Sequence, residues 1–187
     1  GYTIMPPNLI RDLRTQGRAI VTYEPRLRTV VEEAVVAWRA FYALPDALKQ
    51  RFAYSGDLTV SGNGYELKLN HESGDLKEDF HLRVAVREWL YEQARNVDDV
   101  VTPRFIEKAL ALNAHMTGML RTFAEAVEVE CGIEGFADDV MARQPFWLLR
   151  FLHYFGDRKP GDIFAAPHVD KGGFTLHLYE SHDGVES

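Results

Sequence analysis

Phe146-Trp147-Leu148-Leu149-Arg150-Phe151-Leu152-His153-Tyr154-Phe155 is an almost unbroken apolar and aromatic run of strand length. Aromatic and aliphatic residues over so short a stretch predict a β-strand, here spanning Phe146 to Phe155. Lys159-Pro160-Gly161 brings turn chemistry and predicts a turn from Asp157 to Asp162. Phe174-Thr175-Leu176-His177-Leu178-Tyr179-Glu180 then alternates apolar with polar residues, the pattern of a second strand.

Upstream the period is helical. Over residues 25–43, Val30, Ala34, Trp38, Phe41 and Tyr42 fall on one stripe. Thr29 and Glu32 match a capping box, while Pro25 suits an earlier start. Leu44-Pro45-Asp46 ends that helix and begins a short one running through Lys49 and Phe52. Residues 55–75 are rich in Gly, Ser, Asn and Asp and predict loops and short strands. Glu78 to Val86 alternates as a strand does. Thr102-Pro103 is a helix start, and Phe105, Ala109, Leu112, Met116, Leu120, Phe123 and Val127 recur at spacings of three and four. That helix should run to about Glu130, stop at Gly132, and buttress a sheet over roughly 40 Å. Helices followed by strands predict an α+β protein of one domain. Its helical and loop region covers about 1–145, and its sheet or barrel region about 146–187.

Composition narrows the function. The chain has 187 residues, of which 46% are hydrophobic and 12% aromatic, enough for a sizeable core. Its net charge of −7, with Lys and Arg scattered among acids, argues against nucleic acid as a partner. Cys131 is the only cysteine, so there is neither an intramolecular disulfide nor a Cys-based zinc site. No apolar run reaches the ~20 residues of a membrane span, and the first residues lack a signal-peptide profile. A cytoplasmic protein without membrane contact is expected. Glu32-Glu33, Asp98-Asp99 and Asp138-Asp139 read as solvated faces. Cys131 reads as a buried helix-end residue, and Gly62-Asn63-Gly64 lacks the Lys-Ser/Thr of a phosphate loop.

Between the two late strands lies Ala166-Pro167-His168-Val169-Asp170-Lys171-Gly172-Gly173. Two residues apart on a strand share a face, so His168 and Asp170 project together. An imidazole and a carboxylate are two of the three ligands of a 2-His-1-carboxylate site, which suits non-haem Fe(II). His177 falls on the opposite face by its odd offset, His182 sits in a turn-like Ser181-His182-Asp183-Gly184, and His153 faces away from Tyr154. None of these replaces the second histidine.

Two separated stretches resemble the isopenicillin N synthase-like branch of the 2-oxoglutarate and Fe(II)-dependent dioxygenases. The first is Leu44-Pro45, Lys49-Gln50-Arg51-Phe52, Gly64-Tyr65 and Asp75-Leu76-Lys77-Glu78-Asp79-Phe80. The second is Leu149-Arg150-Phe151-Leu152-His153-Tyr154, Pro167-His168-Val169-Asp170, Thr175-Leu176 and Gly184-Val185. The resemblance implies a double-stranded β-helix, or jelly roll, with the metal at one mouth. It implies His168 and Asp170 as Fe(II) ligands, Tyr154 beside 2-oxoglutarate, and an oxidoreductase that uses O2 to hydroxylate, desaturate or cyclise a small organic substrate. The family's distal His and its 2-oxoglutarate-binding Arg come later than Ser187, so the chain is expected to be part of a longer polypeptide. The alternatives are a catalytically incomplete binding module and a 2-oxoglutarate-independent oxidase of the isopenicillin N synthase type.

Overall fold

The computed structural model describes residues 9–16, 24–53, 63–70, 72, 75–155, 161–166 and 176–180. Its class is α+β. Helices α1 (Leu9–Gln16), α2 (Pro25–Tyr42) and α3 (Asp46–Lys49) precede strands β1 (Gly64–Asn70) and β2 (Asp75–Leu82). Helices α4 (Arg87–Arg95), α5 (Val101–Cys131) and α6 (Phe136–Ala142) follow, and then β3 (Leu149–Tyr154), β4 (Gly161–Ala166) and β5 (Leu176–Glu180). The strands form one sheet in the order β1-β2-β3-β4-β5, antiparallel throughout. Among the described residues no helix is long and apolar enough to cross a membrane.

The two long helices form as their stripes dictate, with different caps. Pro25 is the first residue of α2, where its missing N–H costs nothing. Thr29 lies inside that helix and donates its hydroxyl to the Pro25 carbonyl (3.1 Å), so the Thr29–Glu32 capping box does not exist. Glu24, before Pro25, instead reaches His115 on α5 (Oε1 to Nε2, 3.1 Å) and ties the two helices together. The cap of α5 is Asp99 rather than Thr102: its carboxylate accepts from the Thr102 N–H (2.6 Å) and from the Thr102 hydroxyl (3.0 Å). Gly132 ends α5 in the left-handed region at φ 64°, where a side chain is disfavoured.

Strand limits moved for local reasons. Pro145 supports a single 3-10 turn at Gln144–Phe146, so β3 starts at Leu149 rather than Phe146. The strand expected at Glu78 to Val86 is β2, which begins earlier at Asp75, ends at Leu82 and gives way to a 3-10 turn at Val84–Val86. Gly161 and Asp162, expected in a turn, open β4. The sheet also draws β1 and β2 from the region expected to be helices and loops.

Helices α2 and α5 cover one face of the sheet, the near face. Leu27, Val31, Trp38 and Phe41 of α2 meet Phe105, Ile106, Ala109 and Leu112 of α5 over Phe80, Leu82, Leu149 and Phe151. At the centre the Phe41 and Phe105 rings stack at 4.7 Å, while Phe80 and Phe151 meet Phe105 edge-on at 5.0 and 5.2 Å. Alternation sends Glu66 and Lys68 of β1, Lys77, Asp79 and His81 of β2, and Arg150, Leu152 and Tyr154 of β3 to the far face.

Candidate functional site

Much of the first family-like stretch meets at one carboxylate on the near face. Lys49, on α3, places its Nζ 2.7 Å from Glu78 Oε1 and donates also to the Tyr42 carbonyl at 2.9 Å. The Tyr65 hydroxyl donates to the same Oε1 (3.0 Å), and His153 Nδ1 lies 2.9 Å from Oε2. The His153 ring stacks on Tyr42 at 3.8 Å between centroids. Burial pushes the Glu78 carboxyl up, but the hydrogen bonds from His153, then Lys49 and Tyr65, hold it below its ordinary value. Burial, and then the Glu78 charge, push the Tyr65 hydroxyl up, so it stays a donor. This carboxylate is enclosed by its own partners and ties α3, β1, β2 and β3 together; its work is structural.

Gly64 serves the same junction. At φ 81° it brings β1 so close to Phe52 that an added Cβ would stand 2.0 Å from the Phe52 carbonyl oxygen. Phe52, Gly64 and Tyr65 therefore stand together in the sequence pattern for a packing reason.

The far face differs. Asp79 has 0% exposure, and neither carboxylate oxygen has a hydrogen-bond partner. His81 Nε2 lies 3.6 Å from Asp79 Oδ1, but it already accepts a hydrogen bond from Arg150 Nε (3.2 Å). Lys77 Nζ stands 5.7 Å from the centroid of the Tyr154 ring. Burial pushes the Asp79 carboxyl up, only partly opposed by the positive charges of Lys68, Lys77 and Arg150. At the Gly64–His81 end of β1 and β2, away from Lys77 and Tyr154, opens a cleft of about 450 Å³ lined by Gln50, Asn63, Gly64, Tyr65, Glu66 and His81, with Ala53 and Leu67 completing it. Gly64 is directly opposite His81 in the sheet.

His168 and Asp170 lie outside the described residues. Ala166, the last residue of β4, pairs with Leu176, the first of β5, and Ala165 pairs with Arg150. β4 therefore ends, and β5 begins, at the end of the sheet that holds Arg150 and His81. Tyr154 shares the far face with Arg150 but stands four residues away along β3, about 13 Å. No protein-family model matches the chain, and no similar curated protein or solved structure is found. Among the described residues no three His, Cys, Asp or Glu side chains are grouped to hold a metal ion.

Asp79 and His81 did not stand out in the sequence. The available signal was their alternation with Phe80 and Leu82, which sets a carboxylate and an imidazole side by side on the face opposite the core. Tyr65 and Leu67 of β1 line the cleft. Cys131, expected to be buried, is half-exposed, and its sulfur accepts from Arg14 Nη2 at 3.0 Å.

Proposed function

We propose that the chain belongs to a non-haem Fe(II), 2-oxoglutarate-dependent oxygenase acting on a small organic molecule. The observation that supports this reading is the pairing of Ala166, the residue before Pro167-His168, with Leu176, at the sheet end that holds His81 and Arg150. The donor set fits: a neutral imidazole and a carboxylate suit two of the three protein positions on Fe(II). His168 and Asp170 would hold the metal, and Tyr154 would stand on the 2-oxoglutarate side. Once bound, iron and 2-oxoglutarate supply the power to oxidise a C–H bond with O2, releasing succinate and CO2.

The remaining work belongs to the protein. The buried Glu78 network keeps β2 and β3 in register, so the far-face side chains stay in place. A jelly roll is the architecture we propose for the whole sheet, with a second layer over the far face. The burial of Asp79 and Leu152 on that face, at 0% and 4% exposure, supports a covered rather than a solvated surface. Covering excludes water and strengthens each charge interaction within.

The test is His168→Ala. We expect loss of Fe(II) binding in an anaerobic titration and loss of 2-oxoglutarate-dependent succinate formation. Unchanged iron affinity in that variant would overturn the assignment.

A further inference from the structure

The cleft is lined by consecutive residues of one segment, Asn63, Gly64, Tyr65, Glu66 and Leu67. Successive residues of a strand point to opposite faces, so a cleft that touches all of them lies on neither face and follows the strand's edge. That edge is the outer one of the sheet. β1 pairs with β2 along its whole length on one side. On the other, among the described residues, only a single bridge from Ala53 to Gly64 meets it. From Tyr65 to Leu69 the outward backbone groups are left for another strand, a template for pairing between chains.

The side chains along this edge say which strand fits. Antiparallel pairing of β1 with a second β1, centred on Leu67, sets each Glu66 opposite the other copy's Lys68 on the far face. Both side chains reach solvent, 53% exposed at Glu66 and 42% at Lys68, and within one copy they lie 3.8 Å apart. On the near face Leu67 meets its own copy, and Leu69, 54% exposed, meets Tyr65. Centring the pairing on Glu66 or on Lys68 instead would set like charges against each other. Centred on Leu67, it covers Tyr65 to Leu69 and stops short of Gly64, whose edge Ala53 already holds. The cleft of about 450 Å³ beside Tyr65 gives Leu69 of the second copy room.

We propose that the outer edge of β1 is a self-association surface whose occupant is a second copy of this chain, joined two-fold about Leu67 so that the two sheets run on as one. Such a contact uses the same patch on both copies and closes the assembly at two. It does not require iron. So short a strand pair makes a small interface, and the dimer forms reversibly with concentration.

The experiment is sedimentation equilibrium of the full chain over a wide range of concentration, with Glu66→Lys and Lys68→Glu as variants. Wild type should pass from monomer to dimer as concentration rises. Each variant alone sets like charges across both symmetry-related positions and should dimerise roughly tenfold more weakly, or worse. An equimolar mixture of the two restores opposite charges at both positions and should dimerise about as well as wild type. A role for Glu66 and Lys68 within one copy predicts no such rescue, because mixing changes neither chain. The double variant Glu66→Lys, Lys68→Glu should also dimerise like wild type, which keeps the test decisive where a single variant folds poorly. Wild type that stays monomeric throughout leaves the edge to a partner of another kind and overturns the proposal. So does a dimer that both single variants form as well as wild type, or a mixture that fails to recover it.

Discussion

Replacing Lys49 with Met tests whether the Glu78 junction holds the fold together. The substitution keeps the length of the side chain and removes its charge. Lys49 and Glu78 are 5% and 7% exposed at their side chains, with 2.7 Å between Nζ and Oε1. Removing one partner of such a pair leaves the other charge uncompensated in the interior, at a cost of about 3–5 kcal/mol. Glu78 keeps Tyr65 and His153, which places the expected loss near the lower end, about 3 kcal/mol. For a chain of this size that corresponds to a melting point lower by roughly 6–12 °C. Urea unfolding followed by tryptophan fluorescence reads it, since Trp38 is buried in the adjoining core. The double variant Lys49→Met, Glu78→Gln removes the stranded charge and should lose less than Lys49→Met alone. The pH dependence has a definite sign. Glu78 is held below its ordinary value in the fold, so it stabilises above about pH 4.5 and loses that effect as pH falls through its folded value. The gap between wild type and Lys49→Met should therefore narrow in acid. A loss under about 1 kcal/mol, or a double variant that loses the sum of the singles, would refute the reasoning.

Three further outcomes follow from the same geometry. Asp79→Asn should raise stability by about 1 kcal/mol at neutral pH, because the fold disfavours the charged carboxylate. Its folded value lies above the ordinary one, so wild type loses stability as pH rises through that range, and the gain should vanish below about pH 4 in paired melts. Gly64→Ala sets a Cβ 2.0 Å from the Phe52 oxygen at φ 81° and should cost about 3 kcal/mol or more by circular dichroism melting; a loss below about 1 kcal/mol would mean the Phe52 junction shifts freely. Asp99→Ala removes the cap of α5 and should cost about 1 kcal/mol, while Asp98→Ala, on an exposed side chain, should cost little.

The helices were legible because their information is local. The stripes at Trp38 and Phe105, the proline at the start of α2 and the glycine after α5 each act within one or two turns. β1 was half-hidden: Tyr65-Glu66-Leu67-Lys68-Leu69 alternates cleanly, but the turn residues on either side dilute the signal. The Asp99 cap was masked by Thr102-Pro103, which offers an equally good start three residues later. The Glu78 junction was beyond a local reading, since its partners lie 13, 29 and 75 residues away. What brings them together is the register of three strands, and one sequence does not state register. The quoted pattern of Lys49, Gly64, Tyr65 and Glu78 marked the place without revealing its cause.

Glu78 and Asp79 show how a single strand gives two adjacent carboxylates opposite surroundings. They are adjacent carboxylates, both buried, and their protonation is pushed in opposite directions. Strand alternation sends Glu78 to the near face, where three donors from distant segments meet it. The same alternation sends Asp79 to the far face, where the protein supplies charge nearby but no hydrogen bond. Burial alone cannot separate the two, because both are nearly inaccessible to water. Partner count does: a carboxylate saturated by its own chain fixes geometry, whereas one left unsatisfied carries a cost to stability. The expected gain in stability on removing the Asp79 charge and the expected loss on stranding the Glu78 charge with Lys49→Met are two readings of that one difference, and opposite signs in the paired melts are what it requires.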